Sequence, residues 1–194
     1  MPLVGVLALQ GDVREHVLVL SKLQIATRAV KTPEHLIGLD ALIMPGGEST
    51  AIAHLLTLSA LRGALGDVLA QGLPTLGTCA GLILLAREVL DGRSDQWSFN
   101  CLDVSVRRNG YGRQTSSFEA DIDVHGVGLV PGVFIRAPRI VEVASDVEVL
   151  ATHDHGDGPY PVLVRQGSVM GCAFHPELTA DTRIHELFLS SLSA

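Results

Sequence analysis

Residues 77–86 read GTCAGLILLA: a cysteine with glycine two positions before it and two positions after it, set between a short apolar run and a helix-like one. The run LPTLGT (73–78) has the length and composition of a buried strand, and AGLILLAREVL (80–90) reads as a strongly apolar helix. A strand that turns sharply into a helix needs glycine where backbones approach closely, and a cysteine at that turn stands in the place of an elbow nucleophile. Compact packing in the core is the competing explanation for a lone cysteine. Cys101 and Cys172 lie in strand-like runs without glycines on both sides and read as core residues.

Working outward, the first half of the chain repeats the strand–turn–helix pattern. LVGVLAL (3–9) is a continuous apolar strand run, followed by Gln10 and Gly11 as turn residues. Asp12 stands at an N-cap position with Glu15 three residues on, ahead of a helix to about Leu23. IATRAV (25–30) and DALIMP (40–45) read as two further strands. Gly46, Gly47 and Glu48 form a tight loop, and Ser49 or Thr50 is expected to cap a helix starting near Ala51. RGALGDVLAQ (62–71) is a helix stopped by Gly72 and Pro74.

The second half is β-rich. Segments near 101–107, 117–124, 129–136, 140–143, 147–151, 161–165 and 169–174 are short, β-branched and punctuated by Gly, Pro, Asp or Asn. A last helix is expected over about 180–192. The expectation is one α/β domain over 1–194: a three-layer, flavodoxin-like, doubly wound and mostly parallel sheet with an antiparallel strand extension.

Bulk properties narrow the function classes. The 194 residues are 47% hydrophobic and 18% charged, with a net charge of −7 and mean hydropathy +0.34. That balance suits strands covered on both faces. With no block of Lys and Arg, it argues against nucleic-acid binding. The opening MPLVGVLALQGD has no basic stretch and runs into a strand pattern, so it does not read as a signal peptide. No apolar run reaches the ~18 residues of a membrane span. Three widely spaced cysteines do not form a disulfide framework. The expected setting is the cytoplasm.

A cysteine nucleophile needs a base, and AFHPELT (173–179) supplies one. In an extended segment His175 and Glu177 project to the same face, with Pro176 biasing His175 away from helix. The carboxylate would fix the imidazole tautomer and support its charged form, giving a triad of Cys79, His175 and Glu177. His153 and His155 in THDHGDG suggest a metal pair at first sight, but an Asp- and Gly-rich turn explains them and no third ligand is evident, so no metal site is expected.

With these residues in hand, the sequence resembles the glutaminase subunits of pyridoxal 5′-phosphate synthase, a family of class I glutamine amidotransferases. The resemblance rests on GVLALQGDVREH (5–16), LIMPGGEST (42–50), GTCAGLILLA (77–86), RRNGYGRQ (107–114), SFEAD (117–121), GVFIRAP (132–138) and GCAFHPELT (171–179). It implies hydrolysis of L-glutamine to glutamate and ammonia through a glutamyl thioester, without a cofactor. Backbone N–H groups of Gly47 and Ala80 would form the oxyanion hole, and elbow geometry independently places a donor at Ala80. The implied glutamine contacts are Gly47, Glu48, Ser49, Arg108, Ile135 and Arg136. A guanidinium at 108 suits an α-carboxylate, and strand alternation sends Arg107 and Arg108 to opposite faces. The implied partner is the synthase subunit, in a large hetero-oligomer with a dodecameric synthase core, docking near Gln10, Gly11, Arg14, Glu15 and His16. Tyr111, where the family often carries Phe, and the stretches SDQWSFNC (94–101) and HDHGDGPYP (153–161) depart from the pattern. A different cysteine hydrolase of the same fold, such as a γ-glutamyl hydrolase or a protease-like protein, and a non-catalytic binding module are the rival readings.

Overall fold

The computed structural model describes residues 2–92, 96–108, 110 and 117–193. Asn109 and residues 111–114 of the NGYGRQ motif, Tyr111 among them, lie outside the described residues, as do Ser94 and Asp95 of SDQWSFNC. Seven strands make the central sheet: β1 (Leu3–Leu7), β2 (Ala26–Val30), β3 (Ala41–Met44), β4 (Thr75–Thr78), β10 (Glu148–Asp154), β11 (Pro159–Gln166) and β12 (Val169–Cys172). Their order is β10-β11-β12-β4-β3-β1-β2. The five strands from β12 to β2 are parallel, while β10 and β11 extend the sheet antiparallel.

The order reverses between β1 and β3, because the chain leaves β1 toward β2 and leaves β3 toward β4. Right-handed crossovers then place the connections on opposite faces. Helix α1 (Val13–Lys22) lies with α5 (Arg183–Ser190) on one face, and α2 (Ser49–Leu58), α3 (Leu61–Ala70) and α4 (Ala80–Leu85) lie on the other. The crevice at the carboxyl ends of β1, β3 and β4 is therefore the switch point at which such sheets bind ligands. A three-stranded sheet of β5 (Ala86–Val89), β6 (Leu102–Arg107) and β9 (Arg139–Val143) packs over β11 and β12. A hairpin of β7 (Ser117–Val124) and β8 (Gly128–Ile135) leans on β10 and on the turn after β12. No single helix among the described residues is long and apolar enough to cross a membrane; α2 and α3 are apolar but bent by 104° to one another.

The glycines of GTCAG are required by close approach. A Cβ on Gly81 would be driven into the carbonyl oxygen of Met44 in β3, and one on Gly77 would strike the backbone of Gly81. Helix α4 can sit this low on the sheet only because both positions lack side chains, and all six of its residues are buried.

Several local expectations are corrected by tertiary pairing. The helix expected over 80–90 stops at Leu85, because Ala86–Val89 forms β5 and pairs in parallel with β6. There Arg87 bridges to Asp103 and Glu142 across the small sheet. Glu48, not Ser49 or Thr50, caps α2, its carboxylate accepting from Thr50 N and Ala51 N at 3.0 and 2.7 Å. Asp12 sits at the N-cap of α1 without bonding to that helix through its side chain. The last helix starts only at Arg183, whose N–H and guanidinium bind the Asp181 carboxylate.

Replacing Gly81 by Ala is expected to cost about 2 kcal/mol or more, the scale of overpacking against unyielding backbone. Urea unfolding should show a lower midpoint at unchanged m; an unmoved midpoint would refute the close contact of α4 with β3.

Candidate active site

Cys79 occupies the turn between β4 and α4 with φ 48° and ψ −101°, a conformation that non-glycine residues avoid. Such strain costs about 1–3 kcal/mol and persists only when the surroundings impose it. Here they do: Cys79 N–H donates to Cys172 O at 2.8 Å, and Cys79 O accepts from Ile83 N at 3.2 Å. The side chain is 6% exposed and opens into a cavity of about 630 Å³ that is also lined by Asp12, Gly47, Glu48, Ser49, Ile83, Arg108, Ser117, Ile135, Arg136 and His175. Two residues on, the α4 backbone is pinned by β3, so the sulfur is held by the fold rather than by its own contacts. The carbonyl oxygen of Ile135 lies 3.9 Å from it.

His175 and Glu177 follow β12, the strand paired with β4, and so arrive beside Cys79 across the sheet. His175 is extended, at φ −108° and ψ 84°, but Pro176–Leu178 forms a 3-10 turn in place of the expected extended run. The turn still delivers the carboxylate: His175 Nδ1 lies 2.8 Å from Glu177 Oε1. Asp12 Oδ2 is a second acceptor at 3.3 Å. The His175 backbone N–H is tied to Val133 O of β8 at 2.8 Å. Its Nε2 is buried and has no hydrogen-bond partner among the described residues. Burial alone would discharge this ring, but the neighbouring Asp12, Cys79 and Glu177 push its pKa up to about 12. Burial raises the pKa of Glu177, which the bond and charge of His175 partly offset.

The loop after β3 closes the cavity. Gly46 packs directly on the His175 ring, where a Cβ would collide with it, and Gly47 takes φ 151°. Gln10 braces the loop by accepting Glu48 N–H at 2.9 Å. The Glu48 carboxylate lies 2.9 Å from the Arg108 guanidinium. Burial pushes that carboxyl up, but Thr50, the Ala51 N–H and Arg108 together hold it below the ordinary carboxylate range. A cation and an anion side by side at the mouth of a cavity match an α-amino acid, which carries both charges. Arg107 is exposed and ends β6, while Arg108 lies in the turn beyond it, so the turn rather than the expected strand alternation separates the two arginines. Ile135 and Arg136 line the opposite wall, with Arg136 at φ 45°.

The expected docking segment divides. Gln10, Gly11 and Arg14 are exposed and Glu15 is half-buried, but His16 is 0% exposed and is corrected from a surface residue to a core one. Its Nε2 lies 3.1 Å from Thr78 Oγ1 and 3.5 Å from Glu177 Oε1, and its Nδ1 lies 3.0 Å from His185 Nε2. Sequence reading missed this cluster and the inward turn of Asp12. The available signal was the spacing of four from Asp12 to His16, which puts both on one face of a helix.

His153 and His155 stack on Phe118, with ring centroids 5.6 and 4.3 Å away. Among the described residues, Asp12, His175 and Glu177 are the trio whose ligand-type atoms converge, all within 4.8 Å. A cation there would have to take Nδ1 from the hydrogen bond that orients the ring.

A comparison with protein families matches residues 6–194 to the SNO glutamine amidotransferase family. A protein of Mycobacteroides abscessus named pyridoxal 5′-phosphate synthase subunit PdxT is 50% identical over 194 residues, covering 100% of this chain and 98% of the relative. A protein of the same name from Clavibacter michiganensis subsp. michiganensis is 52% identical over 190 residues, covering 97% and 90%. Among solved structures, one described as a glutamine amidotransferase superposes with TM-score 0.91 at 48% identity, covering 98% of this chain and 99% of that one. A putative GMP synthase component from Thermoplasma acidophilum shares the fold at TM-score 0.72 and 19% identity, covering 100% and 94%.

The three cysteines should react unequally. Burial raises the Cys101 thiol to about 11 and lifts Cys172 well above its ordinary value, whereas Cys79 opens into the cavity beside His175. Brief iodoacetamide treatment of the native chain, read by peptide mass spectrometry, should label Cys79 first; labelling of Cys172 at a similar rate would contradict the arrangement.

Acid should destabilise the fold through the buried pair. His185 is depressed to about 4 by burial, and His16 well below 6.5 by burial and then by the charges of His185 and His175. Both lie below the unfolded value, so unfolding takes up protons and their contribution is lost as pH falls from 6.5 to 4. His175, raised, has its full contribution already below 6.5 and adds no slope in that window. Urea titrations should therefore show unfolding free energy falling toward ~1.4 kcal/mol per pH unit for each imidazole; a flat profile from pH 6.5 to 4 would show that these rings are not buried neutral.

Proposed function

The chain belongs to the SNO glutamine amidotransferase family, and from that premise we propose that it is the glutaminase subunit of a pyridoxal 5′-phosphate synthase, acting as one domain over 1–194. The observation that carries the reading is the meeting, in one cavity, of the strained Cys79 with His175 held on Glu177, below a paired Arg108 and Glu48.

L-glutamine enters with its α-carboxylate on Arg108 and its α-ammonium toward Glu48, Ser49 and the loop carbonyls, bounded by Ile135 and Arg136. Its side-chain amide then reaches Cys79. The sulfur, as thiolate, attacks the amide carbon, and the carbonyl oxygen becomes an oxyanion facing the N–H groups of Gly47 and Ala80. Ala80 opens α4, so its N–H is one of those a helix leaves unused. His175 gives its Nε2 proton to the departing nitrogen as the tetrahedral intermediate collapses, and ammonia leaves behind a glutamyl thioester. His175, now neutral, takes a proton from water, the hydroxide attacks the thioester carbon, and glutamate departs as the Cys79–His175 pair is restored. Glu177 holds the ring throughout. The steps balance without metal or cofactor.

Ammonia set free in neutral water is protonated and ceases to be a nucleophile, which favours delivery to a synthase subunit bound to this one. The proposed assembly is a hetero-oligomer on a dodecameric synthase core in the cytoplasm, with Gln10, Gly11, Arg14 and Glu15 on the docking surface.

Glutamate release from L-glutamine should appear or rise when the synthase subunit is added and should vanish in Cys79→Ala. Arg108→Ala should raise KM by about tenfold or more with a smaller change in kcat, since it removes a charge-assisted bond made in ground and transition states alike. No glutamate from a confirmed complex would refute the glutaminase.

A further inference from the structure

Behind the triad lies a set of buried polar groups that the reaction as described does not use. His16 and His185 are both 0% exposed, on α1 and α5, with Thr78 beside them at 0%. Their contacts run toward the active site: His185 Nε2 to His16 Nδ1 at 3.0 Å, His16 Nε2 to Thr78 Oγ1 at 3.1 Å and to Glu177 Oε1 at 3.5 Å. His16 thus touches the neighbour of the nucleophile in sequence and the partner of the base. His185 Nδ1 is buried with no hydrogen-bond partner among the described residues.

That last atom decides the proton order. Two neutral imidazoles sharing one hydrogen bond have two arrangements. If His16 carried its proton on Nδ1, His185 would have to accept at Nε2 and bury an unpaired N–H at Nδ1. The lone pair of His16 Nε2 would then face the Glu177 carboxylate. If His185 donates from Nε2, its Nδ1 needs no acceptor, and His16 presents an N–H to Thr78. The second order leaves the rotatable Thr78 hydroxyl proton without an acceptor among the described residues, whereas the first leaves the fixed His185 Nδ1–H unpaired and also sets a lone pair 3.5 Å from the Glu177 carboxylate, so the second order is the less costly.

We infer that His16 is a positioning residue of the triad, a neutral imidazole that gives its Nε2–H to Thr78 Oγ1, rests its Nε2 edge 3.5 Å from Glu177 Oε1 and is itself fixed by His185 Nε2–H. This deepens the glutaminase reading of the same site and rests on it. Burial pushes the Glu177 carboxyl toward its protonated form, in which it holds an imidazolium poorly; the polar Nε2 edge of His16, 3.5 Å from Oε1, opposes that. His16 lines no part of the substrate cavity, so its effect should fall on turnover rather than on binding.

The test has two arms, both on the full chain, the second in complex with the synthase subunit. Long-range nitrogen–proton NMR of histidine-labelled protein at pH 7.5, assigned with H16Q and H185Q, should show both rings neutral and protonated on Nε2. A His16 protonated on Nδ1, or charged, overturns the inference. In the kinetic arm, H16L should lower kcat for glutamine about tenfold or more with KM within about twofold. H16Q, whose amide nitrogen reaches the Nε2 position, should recover most of that loss. Equal losses in H16L and H16Q, or an unchanged kcat in H16L, overturn it. Should H16L fail to fold, the tautomer decides alone. Should the unaltered complex release no glutamate, the glutaminase reading falls and the tautomer still judges the proton order.

Discussion

The parallel pairing of β12 with β4 is the constraint on which the rest of this molecule depends. Gly171 and Cys172 lie opposite Gly77 and Thr78, and the ladder ends with Cys79 N–H on Cys172 O. That last bond does two things together. It pins the peptide before the nucleophile, so that Cys79 has little choice but its strained turn. It also fixes where β12 ends, and therefore where His175 and Glu177 begin. Slipping this register by one residue would reverse the facing of every side chain on β12 and withdraw the base from the sulfur.

Around that pairing the site is assembled from loops that brace one another. The β1–α1 turn reaches across to the loop after β3, with Asp12 N–H on Gly46 O at 3.1 Å and Gln10 on Glu48 N. The same turn sends Asp12 to His175 and, one helical turn later, His16 to Glu177. The short segment from Gln10 to His16 therefore contacts the loop after β3, His175 and Glu177. Its outer residues, Gln10, Gly11 and Arg14, are at the surface. The stretch thus has two sides, one exposed at Gln10, Gly11 and Arg14 and one turned inward at Asp12 and His16.

Much of this was legible in the sequence, and what was not has a common cause. The apolar runs of β1, β3 and β4 announced buried parallel strands, and GTCAG and HPE each carried their chemistry within a few residues. The strand Ala86–Val89 did not, because its helical composition is overruled by pairing with β6, a partner outside any local window. Asp12 read as an ordinary cap and His16 as a surface residue for the same reason. What each of them does depends on β12 lying close to β1 in the sheet, with only β4 and β3 between them, though the two strands stand near opposite ends of the sequence. Glu48 was read as a loop residue with Ser49 or Thr50 as the cap, and only its bonds to the N–H groups of Thr50 and Ala51 give it that role.

The strained conformation at Cys79 has a consequence for when this protein becomes chemically dangerous. Cys79 is translated long before His175, and the bond that closes its turn on the N–H side comes from Cys172, far along the chain. Until β12 has been made and has docked, the segment around Cys79 is free to relax to ordinary backbone geometry, and the thiol faces no imidazole. A chain emerging from the ribosome carries an unremarkable cysteine. The arrangement that brings Cys79 and His175 together requires the last strand of the central sheet beside β4, so it exists only in a chain in which that pairing is made.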